Sequence, residues 1–199
     1  MSIYQFAPTN NFSHNHKFIT WEDAFTSEEL DKIKEVCLKL PLTKAIVGGK
    51  EPDQDYSEIR ESRVGWLSNN EDTSWIYDRL AFVSRNINSK FFGFDLFGFL
   101  EDMQFTEYVG ESEGHYTWHQ DISETSTAPR KLSLVLQLSD PDDYEGGELQ
   151  TMNSSEPTVV DKKKGLITAF PSWSLHRVTP ITKGTRHTLV IWVCGPSFK

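Results

Sequence analysis

The first ninety residues carry their apolar side chains at helical spacing. Leu30, Ile33, Val36, Cys37 and Leu40 share one face, Thr26 stands three residues before Glu29 as a capping box that starts the helix, and Pro41 ends it. After a turn-like stretch at 68–72, Trp75, Ile76, Leu80, Val83 and Ile87 mark a second helix, and Arg63–Leu67 reads as a strand before it. Leu42–Ser62 is polar and irregular, too long for an ordinary connection, and is expected to be a lid. Beyond residue 92 the period shortens. The runs 94–97, 104–109, 131–138, 158–160, 166–170 and 187–193 are short, apolar or alternating, and separated by turn residues, which predicts a β-sandwich or barrel. With no linker, repeat or low-complexity stretch between the two regions, the helices are expected to pack on the outside of one sheet of a single domain. That domain covers 1–199, with its core at about 25–195 and a tail at 1–20.

Composition narrows the function classes. Thirteen Phe and six Trp among 199 residues supply a real core. A formal charge of −9 disfavours a nonspecific grip on nucleic-acid phosphates. Cys37 and Cys194 are too few for a disulfide scaffold and have no zinc-like spacing, so a reducing cytoplasm is expected, with Cys37 buried in its helix. The N-terminus lacks a signal-peptide pattern and no window resembles a membrane span, so a soluble, unprocessed chain is expected, without membrane partners.

The chemistry concentrates around Tyr116–Asp121. On an extended strand residues two apart point to one side, so His119 and Asp121 can converge on a metal. Alone this pattern is common by chance. A third candidate, His176, lies beside a predicted strand, and two His with one carboxylate form the facial triad of non-haem Fe(II) oxygenases. Arg186 enters a strand whose positions Thr188, Val190 and Trp192 share its face; an inward Arg there needs an anion, which a dicarboxylate cosubstrate would provide. Elsewhere, His14 and His16 have metal-like spacing but sit in the expected tail, His115 and His187 are expected to face away from the site, and 140–143 reads as a solvated turn.

These residues resemble the Fe(II)- and 2-oxoglutarate-dependent dioxygenases of the prolyl-4-hydroxylase-like, PKHD-type branch, which includes bacterial and phage members. The family pattern of Tyr, Gly and then Tyr-x-x-His-x-Asp is met by Tyr108, Gly114, Tyr116, His119 and Asp121, with a slightly long spacing before Tyr116. Glu145–Leu149 resembles the family's Gly-Gly hairpin between core strands, and Phe170 through His176 to Arg186 matches the distal half. The resemblance implies a double-stranded β-helix, or jelly roll, with N-terminal helices buttressing the major sheet. It implies that His119, Asp121 and His176 hold Fe(II), that Arg186 binds the far carboxylate of 2-oxoglutarate, and that Tyr108 and Gln137 add contacts, although relatives often place Tyr where Gln137 stands. By the same resemblance, Arg130, Tyr116 and Trp192 occupy the places that in substrate-bound prolyl hydroxylases surround the target proline, and Leu42–Ser62 resembles the loop that closes over substrate.

The activity so implied is hydroxylation of a C–H bond with O2, most simply on a peptidyl proline, while 2-oxoglutarate is decarboxylated to succinate and CO2 and ascorbate serves as an accessory reductant. The partner would be a proline-containing peptide or protein, in the cytoplasm or, for a phage-encoded member, in the host cell. Rival readings are the same chemistry on a free amino acid or another side chain, a cupin-like isomerase or lyase, and a jelly-roll module that binds sugar or peptide without catalysis.

Overall fold

The computed structural model describes residues 16–47, 56–123, 127, 129–152 and 154–197. Among the described residues two α-helices and fourteen strands follow one another: β1 (Ile19–Trp21), α1 (Ser27–Leu38), β2 (Thr43–Lys44), β3 (Arg60–Glu61), β4 (Arg63–Leu67), α2 (Ser74–Ile87), β5 (Gly98–Phe99), β6 (Met103–Val109), β7 (His115–His119), β8 (Arg130–Gln137), β9 (Tyr144–Gly146), β10 (Leu149–Met152), β11 (Thr158–Val159), β12 (Ile167–Pro171), β13 (Leu175–Val178) and β14 (Ile181–Cys194). The strands form two antiparallel sheets. The larger runs β1-β12-β8-β14-β6-β4-β2, with β5 and β9 also pairing to β14, and the smaller runs β11-β10-β13-β7-β3. The fold is a mainly β jelly roll flanked by two helices.

Strand alternation assigns each residue to a face. On β8, Leu132, Leu134 and Leu136 join Leu189, Ile191 and Val193 of β14 and Met103 and Phe105 of β6 in one cluster with helix residues Leu30, Ile33, Cys37, Ile76, Leu80 and Ile87. The intervening positions, Val135 on β8, Gln104, Thr106 and Tyr108 on β6, and Arg186, Thr188, Val190 and Trp192 on β14, line a cavity on the other face. A one-residue slip in any of these strands would exchange a leucine layer for a polar one, so burial on both faces fixes the register.

The helices are held by local chemistry as well as packing. Thr26 Oγ1 accepts from the Glu29 amide at 3.2 Å, and Glu29 Oε2 accepts from the Thr26 amide at 2.9 Å. Glu29 also pairs with Arg79 of α2 at 3.1 Å, which ties the two helices together. Thr26→Ala is expected to lower stability by about 1 kcal/mol, read as an earlier urea midpoint at an unchanged slope.

Several expectations need correction. The tail does not extend to residue 20, because Ile19–Trp21 pairs with β12 and closes one edge of the larger sheet. His16 packs edge-on against Phe91 at 5.2 Å, whereas His14 lies outside the described residues. Residues 94–97 form no strand; β5 is displaced to Gly98–Phe99, which pairs with Val193 and Cys194. The stretch Leu42–Ser62 is not irregular throughout. Its described ends form β2 on the larger sheet and β3 on the smaller, and 48–55 lies outside the described residues.

Glu145–Leu149 is not a hairpin either. β9 pairs with β14 and β10 with β13, so Gly146 and Gly147 carry the chain from one sheet to the other. Both have positive φ, 76° and 60°, and a Cβ on Gly147 would lie 2.0 Å from Ile181 Cδ1. Only glycine suits that crossing.

Candidate metal and cosubstrate site

The two sheets open onto a cavity of about 430 Å³ that gathers most of the residues singled out from the sequence: Tyr108, Tyr116, His119, Asp121, Arg130, His176, Arg186 and Trp192. His119 ends β7 and His176 lies on β13, and the two strands place them directly opposite each other. Asp121 lies two residues beyond the end of β7, so strand alternation is not what aims it. A turn does so, anchored by the Asp121 amide donating to the Ser172 carbonyl at 2.8 Å. His119 Nε2 is then 3.9 Å from Asp121 Oδ1 and His176 Nε2 is 3.7 Å from Oδ2, and one ligand atom from each of the three residues lies within 4.8 Å of the others.

Hydrogen bonds fix which nitrogen each imidazole offers. His119 Nδ1 donates to the Thr117 carbonyl at 2.7 Å and His176 Nδ1 to the Ser174 carbonyl at 2.9 Å. A carbonyl can only accept, so each Nδ1 carries a proton and each Nε2 is the ring nitrogen left facing the shared centre. Burial, reinforced by the neighbouring His176, pushes His119 down to about 3, which keeps it a neutral donor. Burial works to raise the Asp121 carboxyl, but His176, His119 and the Ser133 hydroxyl together hold it below its usual range. Ser133 donates to Asp121 Oδ2 at 2.6 Å and lies 3.0 Å from the Ser172 hydroxyl. Two imidazoles turned to the shared centre through Nε2 and one oriented carboxylate on one side of a cavity suit a divalent first-row metal with open positions.

Arg186 is 3% exposed. Its Nε has no hydrogen-bond partner and its guanidinium no ion-pair partner among the described residues. It sits 5.7 Å above the Tyr108 ring, and Tyr108 is its partner across β6. Burial pushes the Tyr144 phenol up, with the Arg186 cation opposing. Gln137 does not line the main cavity. Its amide donates to the Tyr144 hydroxyl at 3.0 Å and the Ser139 carbonyl at 3.2 Å, in a small recess behind Arg186 that Tyr144 and Lys162 also line. Its reach to a cosubstrate would therefore run through Tyr144, a residue that sequence reasoning does not select.

At the other end of the cavity the Arg130 guanidinium lies 3.6 Å from the centre of the Trp192 ring and donates to the Asp121 carbonyl at 3.0 Å. Its charge is already met by Glu101, at 2.9 Å from Nε. Trp192 in turn stacks at a tilt against Trp66, with Nε1 buried and unpartnered among the described residues. Tyr116 lies flat on His119 at 3.4 Å, under the guanidinium of Arg60, another residue the sequence does not flag. His187 points to the helix side as expected, stacking on Phe105 and lying 3.1 Å from Glu107, and His115 is absent from the cavity wall.

Fold and donor set together describe a jelly-roll protein whose cavity places three candidate metal donors and a buried arginine on its wall. Residues 103–194 match the 2OG-Fe(II) oxygenase superfamily. The chain is 41% identical over 83 residues to a PKHD-type hydroxylase of Synechococcus sp. (strain CC9311), and 42% over 86 residues to one of Teredinibacter turnerae. These matches cover 42% and 40% of this chain and 38% of each relative, so the chain spans well under half the length of the curated relatives it matches. Among solved structures, a Pseudomonas putida prolyl-4-hydroxylase shares the fold with TM-score 0.71 at 18% identity, over 92% of this chain and 95% of that one. A Trichoplax adhaerens prolyl hydroxylase, solved with a hypoxia-inducible-factor peptide fragment, gives 0.75 at 15% identity over 90% and 84%.

Proposed function

We propose that this protein is a 2-oxoglutarate-dependent dioxygenase that hydroxylates a proline in a peptide or protein. The observation that carries the class is the buried Arg186, without an ion-pair partner among the described residues, on the cavity wall that also bears the His119, Asp121 and His176 donors. A buried, uncompensated guanidinium is costly unless a carboxylate meets it, and its planar fork suits the far carboxylate of a diacid. A binding module without chemistry would need neither the triad nor this cation.

Fe(II), 2-oxoglutarate and O2, once bound, supply the oxidising chemistry, with release of succinate and CO2 and with ascorbate keeping the metal ferrous. The chain's own work is positional. His119, Asp121 and His176 would hold the metal from one side, Ser133 fixes the carboxylate, and Arg186 would set the cosubstrate at one angle with Tyr108 beneath it. Trp192 and Tyr116 narrow the space above the triad, where a target carbon must lie close and water must be kept out.

Proline is supported by the titles of the two solved prolyl hydroxylases that share the fold and by the aromatic pair Tyr116 and Trp192 on the cavity wall. Arg130 supports the walls of that space instead of offering free charge, because Glu101 neutralises it. A cytoplasmic setting suits the two buried free thiols, Cys37 being pushed up to about 12 by burial alone. No described helix is long and apolar enough to cross a membrane.

Incubation with Fe(II), 2-oxoglutarate and a panel of proline-rich peptides, followed by mass spectrometry, tests the reading. The expected result is one added oxygen on a proline with equimolar succinate. Oxygen added only at other residues would overturn the proline assignment, and iron-independent or absent consumption of 2-oxoglutarate would overturn the class.

A further inference from the structure

The cavity wall holds three arginines, Arg60, Arg130 and Arg186, against one acidic residue, Asp121, in a chain whose net charge is −9. Each charge can be assigned a partner except one. Under the oxygenase reading, on which the role assigned to Arg60 rests, a divalent ion, Asp121, Arg186 and a doubly charged 2-oxoglutarate cancel, while Glu101 neutralises Arg130. Arg60 is left over.

Its setting is that of a recognition group. Arg60 is 7% exposed, and neutral oxygens hold it: Nε donates to Ser62 Oγ at 2.9 Å and Nη2 to Gln104 Oε1 at 3.0 Å. The Tyr116 ring lies 4.6 Å from its centre. Among the described residues it has no carboxylate partner, and Nη1 makes no hydrogen bond to them. The guanidinium is therefore fixed in plane by two bonds and a ring, with its remaining N–H groups unspent on a cavity wall, an arrangement that loses little entropy on binding an anion.

The cosubstrate's far carboxylate is already assigned to Arg186, so Arg60 calls for a second anion. Gln104, which holds Arg60, and Tyr108, which lies under Arg186, are four residues apart on the same face of β6, about 13 Å at the usual rise per residue. Arg60 and Arg186 are thus held at different points along the wall, and the effect of replacing Arg60 on half-saturating 2-oxoglutarate separates their roles. Arg60 also sits on β3, a short edge strand of the smaller sheet paired to β7 at Tyr116, whose ring stacks on His119.

We infer that Arg60 binds a carboxylate of the primary substrate, and that the substrate class is therefore acidic at or next to the hydroxylated residue. The carboxylate is either the α-carboxylate of a free or C-terminal residue or an Asp or Glu side chain beside the target.

Paired substrates separate these sources. One set consists of N-acetyl amino acids as free acids and as amides. The other consists of C-terminally amidated proline peptides carrying Glu or Gln beside the proline. Wild type, Arg60→Gln and Arg60→Lys are assayed for succinate release with each, after the visible band of the metal–cosubstrate complex has been recorded for all three. The carboxylate member of at least one set is expected to exceed its neutral twin by about tenfold or more in kcat/KM. That preference should fall to about twofold or less in Arg60→Gln and recover in part in Arg60→Lys, with little change in half-saturating 2-oxoglutarate. The inference is overturned by equal turnover of the twins, by a preference that survives Arg60→Gln, by a change confined to 2-oxoglutarate affinity, or by no turnover of either set in protein that forms the band. Absence of the band from wild type would instead mean that the oxygenase reading itself has failed.

Discussion

His176→Ala is expected to abolish metal binding and, with it, all 2-oxoglutarate consumption. His176 supplies the one donor that comes from β13. Its Nδ1 is tied to the Ser174 carbonyl, so no other atom of that strand can take its place without rebuilding the turn. Losing an outer partner of a metal ligand already costs roughly 10–100-fold in affinity or activity, and losing the ligand itself should exceed that. The variant should still fold, because the leucine-rich cluster between the larger sheet and the helices does not include His176. Metal analysis after dialysis, alongside a far-ultraviolet spectrum, checks both halves of the expectation. Stoichiometric iron retained by a folded His176→Ala protein would remove that residue from the metal site.

The second large effect concerns Arg186. Arg186→Ala should leave iron binding nearly intact while raising the 2-oxoglutarate concentration needed for half-saturation by about 100-fold or more, since removing one side of a desolvated charge pair typically costs about 3–5 kcal/mol. The sign of the stability change is opposite. The free protein carries Arg186 buried without an ion-pair partner among the described residues, so its removal should cost little stability or even raise it, whereas 2-oxoglutarate should stabilise only the wild type. Thermal unfolding with and without the cosubstrate reads this directly. Equal stabilisation of both proteins would show that the far carboxylate is held elsewhere.

These effects arise from features of unequal visibility in the sequence. The long central strands are legible because each alternates between a leucine layer and a cavity layer: on β14, Leu189, Ile191 and Val193 against Arg186, Thr188, Val190 and Trp192. The helices are legible through a capping box and a 3.6-residue period. The short edge strands are not. Two-residue strands such as β2 and β3 have no period to detect, and their pairing is decided by partners far along the chain, Arg60 lying opposite Tyr116. That is why Arg60 passes for part of an irregular loop and why Leu42–Ser62 reads as a lid throughout.

The site shows the same division. Its His-x-Asp spacing picks out two of the three donors that cluster, by an incomplete argument, since Asp121 owes its direction to a turn bonded to Ser172 and not to strand alternation. Gln137 suggests itself by its place on β8, but Tyr144 stands between it and Arg186, and nothing in the alternation of β8 could reveal that. The Gly146–Gly147 pair signals a tight backbone path correctly and its destination wrongly. Glycine reports the dihedral angles a chain needs, whereas the sheet that receives the next strand is a matter of tertiary pairing.

The most direct test of the central claim is an anaerobic titration of the purified protein with Fe(II) and then 2-oxoglutarate, followed in the visible range. A charge-transfer band is expected that appears only when both are present, saturates at one equivalent of each, and is missing from His176→Ala. A wild-type protein that binds neither ligand, or binds iron with no spectral response to 2-oxoglutarate, would contradict that claim.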